Sequence, residues 1–189
     1  MSNKSKMTKN HIIDEALRLF AEKGYQAVTM KDICERSGLS RGGVYRYFSS
    51  TKELFLAMLD RGITDDIANV DRAIANQVPA LVILNHYMNN EKTIMFGENR
   101  GLYYATHEFA FVEPDQREYF DNRVKTSVEL IARLLRYGQG THEFKHFNSS
   151  AMAMHIIYFF DAMKTSASVL TITEEMVNQQ MEIIREMMI

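Results

Sequence analysis

The sequence predicts an all-α protein. It should have an N-terminal three-helix head containing a helix-turn-helix and a larger C-terminal helical body, about nine helices in total. Three observations carry this. Only two prolines, Pro79 and Pro114, occur in 189 residues, whereas sheet proteins use more Pro and Gly in their many turns. Apolar residues recur at helical spacing through most of the chain. Hydrophobic residues make up 46% of the sequence, enough for a real core. The longest apolar runs, such as 80–84 and 156–160, fall far short of a membrane span. No apolar signal segment precedes Ile12, and the single Cys34 has no internal partner. A reducing cytoplasm is the expected setting.

The first helix is read over 8–23, because Ile13, Ala16, Leu17 and Phe20 share one face. Gly24 can stop it. Thr29 followed by Asp32 has capping-box spacing and opens a second helix with Met30, Ile33 and Cys34 inward. That helix ends at Ser37-Gly38. Ser40 caps a third, short helix reaching about Tyr47. A short helix, a turn and another short helix form a helix-turn-helix pattern over 29–48. The third helix holds Gly42 and Gly43, each costing about 1 kcal/mol against Ala. It must be held by Leu39, Val44 and Phe48. Two glycines there permit close backbone approach to a groove or phosphate.

Charge is distributed unevenly. Residues 1–52 carry ten Lys/Arg and five Asp/Glu, and residues 53–189 carry twelve and nineteen. A basic head on an acidic body suits a polyanionic partner. Ser40, Arg41, Tyr45, Arg46, Tyr47 and Lys52 cluster around the glycines. Arg can read guanine edges, whereas Tyr, Lys and helix N-termini suit phosphates. Lys4, Lys6 and Lys9 read either as an arm toward DNA or as a solvated tail.

The runs Ala16-Leu17-Arg18-Leu19-Phe20-Ala21-Glu22-Lys23-Gly24-Tyr25, Thr29-Met30-Lys31-Asp32-Ile33, Gly38-Leu39-Ser40-Arg41-Gly42-Gly43-Val44-Tyr45-Arg46-Tyr47-Phe48 and Lys52-Glu53-Leu54-Phe55 together resemble the TetR family of regulators. The likeness spans about 8–65. It implies that Thr29 caps the second helix and faces a phosphate. Ser40, Arg41, Gly42 and Gly43 would lie at the groove, and Tyr45, Tyr47 and Lys52 would clamp the backbone. A common variant of the motif has His where this chain has Tyr47, which keeps a hydroxyl donor but no charge. The resemblance further implies a DNA-binding transcriptional regulator of double-stranded DNA, a homodimeric repressor. A small apolar or amphipathic effector would release it from a palindromic operator.

On this reading residues 1–50 form the DNA-binding domain and 51–189 the regulatory and dimerisation domain. Within the latter, helices are expected over about 51–76, 79–95, 102–112, 114–137, 148–170 and 173–188, with Gly138 and Gly140 ending the seventh of the chain. Small and apolar residues line the last two helices: Ala151, Met154, Ile157, Tyr158, Ala162, Thr165 and Val169, then Met176, Met181, Ile184, Met187 and Met188. In the family such a pair docks on its copy; an internal hairpin explains the same pattern. The body is rich in Met and aromatics, as ligand pockets are. Phe96, Tyr103, Tyr104, His107, Phe111, Met152, His155, Phe159 and Met163 are the candidate pocket residues, although plain core explains any one of them. The alternative reading is a ligand-independent DNA-binding protein whose body binds a protein partner.

No enzyme site is expected. No phosphate-binding loop or nucleophile elbow occurs. The run His142-Glu143-Phe144-Lys145-His146 matches the H-E-x-x-H zinc pattern. It falls in a connection between helices rather than on one, with no third ligand apparent. Neither a metal nor a cofactor is expected.

Overall fold

The computed structural model describes residues 3–167 and 170–189. Those residues form nine α-helices and one 3-10 turn, without strands. The helices are α1 (Asn3–Lys23), α2 (Met30–Ser37), α3 (Arg41–Tyr45), α4 (Thr51–Ala75), α5 (Ala80–Phe96), α6 (Gly101–Val112), α7 (Arg117–Gly140), α8 (Ser149–Ala167) and α9 (Glu174–Glu186). The 3-10 turn is Pro114–Gln116. Among the described residues no helix is long and apolar enough to cross a membrane.

The chain divides into two compact units. The first runs through Gly62 and takes in Glu98–Pro114; the second holds Ile63–Gly97 and Asp115–Ile189. Hence the unit built on the head is discontinuous in sequence, and α6 belongs to it.

In the first unit α1 begins at Asn3, earlier than the 8–23 predicted from its apolar face. Lys4, Lys6 and Lys9 therefore ride on a helix and form no irregular tail. Part of the reason is tertiary: the Ser5 hydroxyl donates to the Tyr47 hydroxyl at 3.3 Å. The core brings together Ile12, Ala16 and Phe20 of α1, Ile33 of α2, Val44 of α3, Leu54 and Phe55 of α4, and Phe109 of α6, all fully buried. Phe55 meets Phe20 edge-on at 4.8 Å and stacks on Phe109 at 4.7 Å. Burying each Phe contributes about 1.5–3 kcal/mol. Polar contacts fix α6 as well. The Glu108 carboxylate accepts from the backbone N–H of Tyr25 at 2.5 Å and of Gln26 at 3.3 Å. The Gln26 amide donates to it at 3.0 Å. Gly101 lies against the Ala21 carbonyl, leaving no room for a Cβ.

The second unit packs α5, α7, α8 and α9 around Leu84, Met88, Ile131, Leu134, Ile156 and Phe160, all essentially inaccessible to water. Pro79 and Thr173 open α5 and α9 as their sequences indicate, and the Thr173 hydroxyl caps α9 at 3.2 Å. One stop signal fails. Gly138 sits inside α7, which runs to Gly140. A Cβ there would collide with the Phe144 ring and with Ala80, so this glycine serves close packing.

That packing also explains residues 142–146. They form no helix, and His142 has a positive φ of 62°. Phe144 is buried on Gly138. The Glu143 carboxylate accepts from the Ala80 N–H at 2.9 Å and the Leu81 N–H at 3.1 Å. It caps α5, whose Pro79 offers no side-chain cap. Burial opposes its charge, but these two N–H groups and the Thr141 hydroxyl outweigh burial and hold its pKa below the usual value. No group of three or more metal-binding side chains occurs among the described residues.

Candidate nucleic-acid interface

The helix-turn-helix is built by its caps. The Thr29 hydroxyl accepts from the Asp32 N–H at 3.2 Å, while the Asp32 carboxylate accepts from the Thr29 N–H at 2.9 Å. This reciprocal box satisfies two orphan donors of α2. Lys23 adds an ion pair to Asp32 at 2.7 Å. The Lys23 and Thr29 contacts together hold the Asp32 carboxyl far below its normal pKa. Gly38 closes α2 in the left-handed conformation, φ 67°. Ser40 then caps α3 by accepting from the Gly43 N–H at 3.2 Å. A five-residue helix cannot stand alone. Val44, at 0% exposure, and Phe48, at 1%, anchor it in the core.

The opposite side of α3 faces solvent. Ser40, Arg41, Gly42, Tyr45 and Arg46 are exposed, and Gly43 and Tyr47 are half-buried. Arg41 lies over the Tyr45 ring at 5.2 Å, and Arg46 near the Tyr47 ring at 5.9 Å. Lys9 lies over the Phe48 ring at 5.3 Å. The Ser5 hydroxyl lowers the pKa of the Tyr47 phenol. A Cβ on Gly42 would meet nothing, and on Gly43 only the Ser40 hydroxyl and Leu39. Neither glycine has a positive φ.

Charge pairing divides the basic residues of the head. Arg18, Lys23, Lys31, Arg36 and Lys52 are each paired with a carboxylate. Lys4, Lys6, Lys9, Arg41 and Arg46 make no ion pair among the described residues. The unpaired cations are those on the first turns of α1 and around α3. Lys52 departs from the simple picture. Its ammonium is bound to Glu113 at 2.8 Å, and Glu113 also accepts from the Tyr25 hydroxyl at 3.0 Å. Burial, then Glu113, push the Tyr25 pKa up to about 12. Sequence reasoning missed Glu113, since 61 residues separate it from Lys52.

The nine pocket residues read from composition divide between the two units. Tyr103, Tyr104, His107 and Phe111 lie on α6 of the first unit, where Phe111 is 83% exposed and Tyr103 packs edge-on against His107 at 4.7 Å. Phe96, Met152, Phe159 and Met163 pack against the core of the second unit, and His155 is exposed. A cavity of about 400 Å³ lies elsewhere, between α4, α5 and α7 of the second unit. Val70, Ala73, Val78, Val82, Ile83 and Leu130 form its apolar wall, and none of the nine predicted residues lines it.

Comparison with known proteins agrees with this architecture. Residues 12–58 match the family model described as bacterial regulatory proteins, tetR family. The chain is 31% identical over 150 residues to the HTH-type transcriptional regulator YfiR of Bacillus subtilis, covering 74% of this chain and 73% of that one. It is 26% identical over 138 residues to the transcriptional repressor KstR of Mycolicibacterium smegmatis, covering 73% and 68%. The fold superposes on reduced NemR of E. coli with a TM-score of 0.78, at 14% identity and 96% and 98% coverage. The chain belongs to the TetR family of helix-turn-helix transcriptional regulators.

Proposed function

We propose that the chain acts as a homodimeric repressor that binds a palindromic operator and releases it when a small molecule occupies the second unit. The observation that carries the DNA reading is the set of cations without an ion pair among the described residues: Lys4, Lys6 and Lys9 on the first turns of α1, which Ser5 ties to Tyr47, and Arg41 and Arg46 on and just after α3. Polyanion binding needs such uncommitted charge. Arg41 and Arg46 read or clamp the groove. Thr29, Ser40, Tyr45, Tyr47 and Lys52 take phosphates, and Gly42 and Gly43 let the backbone approach. The fold itself gives no reason for Gly42, whose Cβ position is open. A close external partner supplies one. Residues 1–50 then hold every proposed DNA contact except Lys52, which must leave Glu113 to reach a phosphate.

The dimer reading rests on α8 and α9. Ala151, Met154, His155, Tyr158, Ala162 and Thr165 form one exposed stripe along α8. Met176, Ile183 and Met187 are exposed on α9, while Met181, Ile184 and Met188 are buried within the chain and so drop out of the predicted face. Val169 lies outside the described residues. Two copies joined there would present two recognition helices to half-sites about 34–36 Å apart. The cavity supports the effector reading. Its α4 wall is continuous in sequence with Lys52, so a ligand that prefers one position of α4 shifts DNA affinity without touching DNA. Selection of bound DNA from a random pool tests the DNA and dimer readings together. It should return an inverted repeat with one-turn spacing, and a single unrepeated half-site would overturn the dimer.

A further inference from the structure

We propose that the cavity between α4, α5 and α7 takes an organic ammonium with an apolar body, anchored by Asp66 and Tyr87. The inference rests on the reading of that cavity as the effector site. Six apolar side chains form the wall, and Asp66, Asn69, His86, Tyr87 and Asn90 supply the polar groups. Among them only Asp66 carries a full negative charge at neutral pH. Its carboxylate makes no hydrogen bond or ion pair with the described residues. Although solvent reaches Asp66, it sits in a concave, partly desolvated place. Burial comes first, then the Glu91 and Asp65 carboxylates, in raising its pKa; Arg123 and Lys164 oppose them. Lys164 is already committed to Glu91 at 2.5 Å. The Tyr87 hydroxyl likewise has no hydrogen bond among the described residues.

Polar groups at the mouth of an apolar cavity that no protein group engages are open to a ligand's polar end. A neutral ligand would leave the carboxylate without a counter-charge, and a carboxylate ligand would face like charge. An ammonium donates to Asp66 and to the Tyr87 oxygen, and the Tyr87 ring face favours it further. The apolar wall receives the rest of the molecule. The volume of about 400 Å³ falls within the range of small-molecule sites.

The test is calorimetric titration of the whole protein at pH 7 with 4-phenylbutylammonium, 4-phenylbutanol and 4-phenylbutanoate. These probes share one apolar body and differ in charge. Each is titrated into wild type, Asp66→Asn and Ala73→Leu, after thermal melts establish that both variants fold. The ammonium should bind at least tenfold more tightly than the alcohol and more tightly still than the carboxylate. Asp66→Asn should bring the ammonium to within about twofold of an unchanged alcohol, and Ala73→Leu should weaken all three. Equal or tighter binding of alcohol or carboxylate to wild type overturns the proposal, as does an ammonium preference that survives Asp66→Asn. If either happens while Ala73→Leu still weakens every probe, the cavity remains the ligand site and only the charge class falls. If no probe binds, or Ala73→Leu changes nothing, the effector reading of this cavity falls with it.

Discussion

Replacing Glu113 by Gln should tighten DNA binding. In the structure Lys52 is shared out before DNA arrives, because its ammonium is held by Glu113 at 2.8 Å. Binding a phosphate must break that pair. The two side chains are 31% and 25% exposed, so water screens the pair, and about 0.5–1 kcal/mol is a fair value. Gln keeps an oxygen for the Tyr25 hydroxyl, which now bonds to Glu113 Oε1. The substitution therefore removes the ion pair with little other damage. Two heads on one operator would together gain about 1–2 kcal/mol, or roughly 5- to 30-fold in Kd. Anisotropy titration with a labelled operator at fixed salt measures this. Lys52→Ala in the Glu113→Gln background should erase the gain. An unchanged Kd for Glu113→Gln, or a gain that survives Lys52→Ala, would refute the competition between carboxylate and phosphate.

Further outcomes are expected. Arg41→Ala should cost about 1–3 kcal/mol of operator binding and relax base preference at one position, read by competition with single-base operator variants. Lys52→Ala should weaken binding to all sequences and reduce the salt slope by about one per head. Gly138→Ala forces a Cβ into the Phe144 ring and Ala80 and should destabilise the fold by about 1–3 kcal/mol in urea unfolding. Asp32→Asn should cost about 1 kcal/mol at neutral pH. Because the Asp32 pKa is depressed on folding, its contribution is present above the unfolded carboxyl pKa and is lost as pH falls through the folded one. The variant and wild type should therefore converge in stability in strong acid, and a constant gap down to low pH would show that the charge is irrelevant.

What was legible in the sequence was local. The Thr29 and Asp32 box, the Gly38 stop and the Ser40 cap act within a few residues, and each stands where its spacing indicates. What was not legible depends on distant partners. Residues 3–7 show no apolar period, and their helix is braced by Tyr47. Gly138 resembles a stop until Phe144 folds back on it. Richness in Met and aromatics marks a core as well as a pocket, so it could not find the cavity. A subtler signal was present. Asp66, Asn69 and Ala73 share one face of α4, and Val82, His86 and Asn90 share one face of α5.

The splitting of the head's compact unit over two stretches of chain has a consequence for protein engineering. Glu98–Pro114 folds with the DNA reader, so grafting residues 1–62 onto another regulator's body leaves Phe55, Tyr25 and Lys52 facing a foreign α6. Such a chimera should express poorly unless that helix supplies equivalents of Glu108, Phe109 and Glu113. Transplanting Glu98–Pro114 along with the head should restore it. Operator specificity in this protein is thus portable only as two pieces.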